Sequence, residues 1–358
     1  MRLLLLVALL LPNALRAQPV PDEIDYSVAN LNPLLYLAGG DAVIRINARS
    51  FEVKSASQAV EKVHFAVTVM EESARSAGEM SIGYDGRLRS LGSFRGALYD
   101  ATGKRIRKMG KDDQMDMSAF SSVVDFSDNR VRSGFLYHDE YPYTVEYTWE
   151  IEHDGLISWP AFYPDDERAS VAYAAYEVSA PDDVSFRYYA FKIDLEPDYD
   201  RTDRRGRTVR WSVQNRPSLA REDWAPTYTE RMPSIQVAPD AFEVERARGD
   251  LTSWQTFGQW YHDLQVGRDR LAPETVARVE EAVESAESTT EKARRLYAMM
   301  QDHTRYISVQ LGLGGWQSFP AEYVEERSYG DCKALTNYLI SLLRAADVEA
   351  YPVLIRAG

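Results

Sequence analysis

The 358-residue chain reads as a multidomain protein: an all-β antiparallel sandwich region over residues 41–237, then an α+β domain over 250–358. Three observations predict this. Between residues 141 and 151, Tyr141, Tyr143, Val145, Tyr147, Trp149 and Ile151 alternate strictly with Pro142, Thr144, Glu146, Thr148 and Glu150. That is the period of a strand with one apolar and one wet face. Shorter alternations recur at Phe65-Val67-Val69, Tyr189-Phe191-Ile193-Leu195 and Val209-Trp211-Val213, separated by turn signals at Asp85-Gly86, Thr102-Gly103 and Asp154-Gly155. Beyond residue 250 the apolar spacing changes to three and four, which is helical, and residues 348–355 return to a strand-like run.

The composition is that of an ordered protein, with 45% hydrophobic and 27% charged residues and 22 tyrosines, a strand-favouring type. The net charge of −14 argues against nucleic acid and against anionic lipid as partners.

Met1-Arg2 leads into an apolar run over residues 3–11, followed by Pro12 and by the small residue Ala17 before Gln18. This pattern predicts a secretory signal peptide over residues 1–17, too short to span a bilayer. Residues 18–40 form a leader segment, and no other stretch resembles a membrane span. The expected location is therefore periplasmic or extracellular.

The sandwich region follows. Its aromatic stripe is the inward face of a sheet rather than a ligand groove. The basic run over residues 201–210 contains Gly206 between strand patterns, so it is expected as a solvated hairpin tip. Pro217, Pro226, Pro233 and Pro239 punctuate the exit, and residues 238–249 are expected to be linker.

In the last part, Leu251, Trp254, Phe257, Tyr261 and Leu264 form one helical face, and Val276, Val279 and Val283 another. Ser288 with Glu291 has capping-box spacing ahead of Ala293, Leu296, Tyr297 and Met300, and His303 ends that helix in a capping or surface role. The glycine run over residues 312–315 lacks the Lys-Ser/Thr of a phosphate loop. It is expected to shape a wall beside the segment Tyr329-Gly330-Asp331-Cys332-Lys333.

Cys332 is the only cysteine of the chain, so no internal disulfide exists. Leu335, Leu339, Leu342 and Leu343 follow as an apolar stripe, and Asp331 is placed to cap the helix, with Cys332 in its first turn. Unpaired backbone N–H groups and the helix dipole at such a position favour a thiolate over a thiol. A free thiol is more often simply buried, but the surrounding segment argues for reactivity. No grouping of His, Cys, Asp or Glu has metal-ligand spacing, so no metal or cofactor is expected.

Gly330-Asp331-Cys332-Lys333 resembles the nucleophile segment of the transglutaminase-like superfamily, which has a papain-like fold. The resemblance extends through Arg305-Tyr306-Ile307, Leu311-Gly312-Leu313-Gly314-Gly315-Trp316, Pro320-Ala321-Glu322, Leu342-Leu343-Arg344-Ala345-Ala346 and Tyr351-Pro352-Val353-Leu354. Relatives often continue the motif with Asp where this chain has Ala334. Upstream, residues 50–62, the turn near Gly103 and residues 143–162 resemble a bacterial domain of unknown function (3857) that precedes transglutaminase-like domains in exported proteins.

The resemblance implies a Cys, His, Asp triad in that chain order and acyl chemistry on a peptide or protein amide through a thioester. Cys332 is the implied nucleophile, with Trp316, Gln317 and Tyr306 as candidates for the cleft or the oxyanion. All five histidines (His64, His138, His153, His262 and His303) precede Cys332, so the family's His and Asp are expected after residue 358 and the domain is expected to be incomplete. The alternative is a non-catalytic envelope binding or scaffold protein with a degenerate papain-like domain. Hydrolysis and cross-linking stay equally open, and nothing in the sequence indicates an oligomeric state.

Overall fold

A computed structural model of the chain describes residues 24–37, 41–119, 126–219 and 223–355. The expected signal peptide lies outside the described residues.

The chain begins with a short helix, α1 (Leu34–Leu37), and runs through β1 (Ala42–Val53), β2 (Gln58–Val69), β3 (Glu79–Tyr84) and β4 (Arg89–Tyr99). Next come β5 (Arg105–Lys108), β6 (Gln114–Ser118), β7 (Phe126–Ser127), β8 (Arg130–Phe135), β9 (Tyr143–Asp154) and β10 (Ser170–Ala180). The β-rich part closes with β11 (Phe186–Phe191), β12 (Tyr199–Asp203), β13 (Gly206–Arg216), the short helix α2 (Tyr228–Arg231) and β14 (Ser234–Pro239).

Eight strands make one sheet in the order β12-β13-β10-β1-β2-β9-β4-β5. The alternation read over residues 141–151 is β9, whose Tyr143, Val145, Tyr147 and Ile151 are buried on the inner face. Two smaller sheets, β3-β8-β6 and β11-β14, cover that face and share its core, with Ile82, Phe186, Ile235 and Val237 against Phe51, Tyr147 and Trp211. The sandwich is not wholly antiparallel, because β1 pairs with β10 in parallel. A parallel neighbour requires a crossover. Residues 155–169 supply it, burying Leu156, Trp159 and Phe162 in the core.

Part of the leader segment packs on the outer face. There Tyr26 is buried and donates its hydroxyl to Glu146 at 2.9 Å, and Glu146 also accepts from Tyr99 at 2.6 Å and lies 2.7 Å from His64 Nε2. The basic run is a hairpin tip, as expected: Gly206 sits at φ +112°, and Arg207 pairs with Asp200 at 2.7 Å.

Two strand-level expectations are corrected. The alternation through Leu195 stops as a strand at Phe191, because Lys192 takes φ +54°, although Ile193 and Leu195 still pack on the core. The stretch 238–249, expected as linker, holds the end of β14 and a hairpin of β15 (Ala241–Val244) and β16 (Ala247–Asp250). Phe242 and Val244 of that hairpin are buried against Trp260 and Leu264.

The helical part comprises α3 (Trp254–Gln265), α4 (Pro273–Val283), α5 (Thr289–His303), α6 (Ala321–Arg327) and α7 (Cys332–Ala345), with two-residue strands β17 (Arg305–Tyr306), β18 (Val309–Gln310) and β19 (Tyr329–Gly330). A second core joins Val279 and Val283 of α4, Leu296 and Met300 of α5, Val324 of α6 and Tyr338 and Leu342 of α7. Ser288 caps α5 by accepting from Glu291 N–H, while Trp254, read as part of the buried face of α3, is 86% exposed. The strand expected over 348–355 does not form. Residues 349–355 pair with no strand among the described residues, and Val353 and Ile355 are exposed.

Candidate active site

The site is built at the junction of β17, β19 and α7. β17 and β19 pair in parallel, matching Tyr306 to Gly330, and the Ile307 N–H donates to the Gly330 carbonyl at 3.0 Å. Gly330 is required by crowding: a Cβ there would meet the Ala334 Cβ at 2.9 Å. The chain then turns into α7 with Asp331 as N-cap. Asp331 is only 2% exposed; its carboxylate accepts from the Ala334 N–H at 3.0 Å, and its carbonyl from the Leu335 N–H at 2.9 Å. The second carboxylate oxygen is held by the Lys333 ammonium.

Cys332 occupies the first position of α7 and is exposed. The buried centre of α7 is Ala334, Tyr338 and Leu342; of the leucines expected as the stripe, Leu342 is thus buried, while Leu335, Leu339 and Leu343 flank it half-buried. A tyrosine can sit at the middle because its hydroxyl donates to the Glu325 carboxylate, which also pairs with Arg278. His303 bonds at 2.8 Å to the Glu325 carbonyl, tying the end of α5 to α6 as a cap, consistent with the role expected for it.

Of the three cleft candidates, Tyr306 is the one brought to the thiol. Its phenol is held above the ordinary range by desolvation first, then by the charge of Cys332, the charge of Asp331 and a hydrogen bond with Cys332, against a lowering contribution from Ser308. It therefore stays protonated, a hydrogen-bond donor, at neutral pH. Trp316 packs its ring against Phe257 and Trp260 at centroid distances of 6.0 and 5.7 Å, in the core beside α3. Gln317 spends its amide on the Leu264 carbonyl at 3.0 Å. Both brace the segment behind the site.

Tyr261, expected only as part of an apolar helical face, also feels the charge at the helix start. Desolvation, and then the charges of Cys332 and Asp331, raise its phenol. Nothing in the spacing of α3 could have set it apart from its neighbours. From Tyr261 a groove of ≈ 290 Å³ runs between α3 and α7, lined by His262, Gln265, Lys333, Thr336 and Asn337. Asn337 fixes one wall, donating to the Arg268 carbonyl at 2.7 Å and the Phe319 carbonyl at 3.3 Å. Among the described residues none of the five histidines hydrogen-bonds to Cys332; His262 lines the groove but lies 3.4 Å from Asp263.

The arrangement is that of an exposed thiol at a capped helix start, with a protonated phenol at hand. A family model for a domain of unknown function, DUF3857, matches residues 55–220, the greater part of the β-rich region. No curated protein matches the chain. Among solved structures, the chain is similar to a Parabacteroides distasonis protein described as a candidate protease, with a TM-score of 0.65 and 13% identity. That match covers 86% of this chain and 59% of the other, so the chain spans about three fifths of that structure's length, and the likeness is one of fold. Aminopeptidase A of Legionella pneumophila (TM-score 0.27, 9% identity, 60% and 22% coverage) and an M1 zinc metallopeptidase of Deinococcus radiodurans (TM-score 0.27, 12% identity, 73% and 55% coverage) align too loosely to carry an argument.

Proposed function

We propose that the chain performs thiol-based acyl chemistry on a peptide or protein amide, with Cys332 as nucleophile. The observation that carries this reading is the exposed Cys332 thiol on the capped first turn of α7, with the Tyr306 phenol beside it. The thiolate adds to the amide carbonyl, the C–N bond breaks, the amine leaves with a proton, and water or a second amine opens the thioester. Tyr306 donates to the developing oxyanion. The N–H groups of Cys332 and Lys333, which have no acceptor among the described residues, add to that donor set. In the transglutaminase-like resemblance, the general base stands on strands C-terminal to the nucleophile helix. The leader pattern of residues 1–17 puts this chemistry outside the cytoplasm, and the protease description of the structural neighbour agrees with a peptide substrate.

The test is release of amine from peptide amides by the full-length protein, beside its Cys332→Ser and Tyr306→Phe variants. Cys332→Ser is expected to abolish turnover. Tyr306→Phe is expected to lower kcat by about 10²-fold, the cost of an oxyanion donor, with KM little changed. Peptide binding without turnover in the wild type would establish the scaffold reading instead.

A further inference from the structure

A second site lies in the β-rich region, away from Cys332. At one end of the eight-stranded sheet, the inner face turns from apolar to charged. Glu61 of β2 and His153 of β9 are 4% and 7% exposed, joined Nε2 to Oε2 at 3.1 Å. Arg49 of β1 lies 3.3 Å from the other Glu61 oxygen, and Arg89 of β4 stands directly opposite His153 in the ladder. Burial taken alone would raise the Glu61 pKa; the hydrogen bond from His153 and the charges of Arg49, His153 and Arg89 carry it below the usual range instead. The cluster borders an open cavity of ≈ 450 Å³ lined by Trp149, by Trp159 of the crossover and by β3. That size falls within the roughly 300–1,000 Å³ of small-molecule sites.

Arg89 Nε and Trp159 Nε1 are buried without a hydrogen-bond partner among the described residues, and Trp159 is 93% buried as a whole (7% exposed). Arg49, in contrast, is occupied by Glu61 and by the Ala161 carbonyl at 3.4 Å. A charged cluster in an otherwise apolar layer contributes little stability, and buried orphan donors cost free energy. The unpartnered donors are Arg89 Nε and the Trp159 indole N–H, and Trp149, Ile151 and Ile157 share the lining with them. This set suits one monoanionic acceptor with an apolar body. A phosphate dianion would face the carboxylates of both Glu61 and Asp85, which line the cavity.

We propose that this cavity binds a carboxylate carried on an apolar group, as presented by a peptide C-terminus ending in an apolar residue or by a free apolar acid. The carboxylate accepts from Arg89 and from the Trp159 indole, and the apolar group lies along Trp149 and Ile157. The site is independent of the chemistry at Cys332.

The experiment is calorimetric titration of the full-length protein with N-acetyl-phenylalanine, its neutral amide, an acetylated tetrapeptide ending in phenylalanine, 3-phenylpropionate and inorganic phosphate. The acids are expected to bind, and the amide and phosphate at least tenfold more weakly. Arg89→Gln and Trp159→Phe should each weaken acid binding about tenfold or more, the worth of a hydrogen bond to a charged group, with melting temperatures within a few degrees of wild type. Cys332→Ser should leave binding unchanged. Tighter binding of the tetrapeptide identifies a peptide C-terminus as the source; tighter binding of 3-phenylpropionate identifies a free acid. The proposal is overturned if no carboxylate binds at millimolar concentration, if phosphate or the amide binds as well as the acids, or if a folded Trp159→Phe protein binds them undiminished.

Discussion

Asp331 performs two tasks that substitution can separate. Its carboxylate caps α7 through the Ala334 N–H and holds the Lys333 ammonium, and it is almost wholly buried. Loss of an N-cap costs about 1 kcal/mol. Breaking a fully buried ion pair costs roughly 3–5 kcal/mol, but the Lys333 side chain keeps 10% exposure and a flexible stem. The stranded ammonium can therefore reach water, which brings that share down to about 1–2 kcal/mol. Asp331→Ala should then destabilise by about 2–3 kcal/mol, lowering the urea midpoint by slightly more than 1 M at a slope of roughly 2 kcal/mol/M. Asp331→Asn retains the cap, since Asn and Asp cap equally well, and should lose only about 1–2 kcal/mol. The assay is urea unfolding followed by circular dichroism at 222 nm on all three proteins. If the two variants coincide, the cap contributes nothing; if Asp331→Ala lies within about 0.5 kcal/mol of wild type, the account of how α7 begins is refuted.

Three further outcomes are expected. The Cys332 thiol is exposed, so iodoacetamide should label folded protein within about threefold of the rate in urea; a thiol silent until unfolding would contradict its placement. Glu146 is held below its ordinary value of 4.5: burial acts to raise it, but hydrogen bonds from His64, Tyr99 and Tyr26 outweigh that effect. Its contribution is therefore present above pH 4.5 and lost as the pH falls through the lower folded value. Wild type should lose more stability on acidification than Glu146→Gln, and parallel acid limbs in urea titrations at several pH values would count against this. Gly206→Ala puts a Cβ 2.0 Å from the Ala180 carbonyl oxygen at φ +112°. Its melting temperature should fall by roughly 5 °C or more, and an unchanged melt would show that the β12–β13 turn can relax.

What the sequence determined was local. Strict alternation located β9, since a half-buried strand imposes period two on its own residues. The turns at Gly86, Gly103 and Gly206 followed from a backbone with positive φ. Asp331 could be read as the cap of α7, because capping is a contact between near neighbours. Tertiary structure decided what depends on distant partners. The parallel pairing of β1 with β10 needs the crossover 155–169, which no local signal marks. Residues 241–250 form a hairpin because Phe242 finds Trp260, and residues 349–355 remain without a ladder because a strand needs a neighbour to bond. The same holds at the site. Tyr306 reaches Cys332 from a separate element, while Trp316 is drawn into the aromatic core beside α3, where its large apolar ring gains more from burial than from lining a wet cleft.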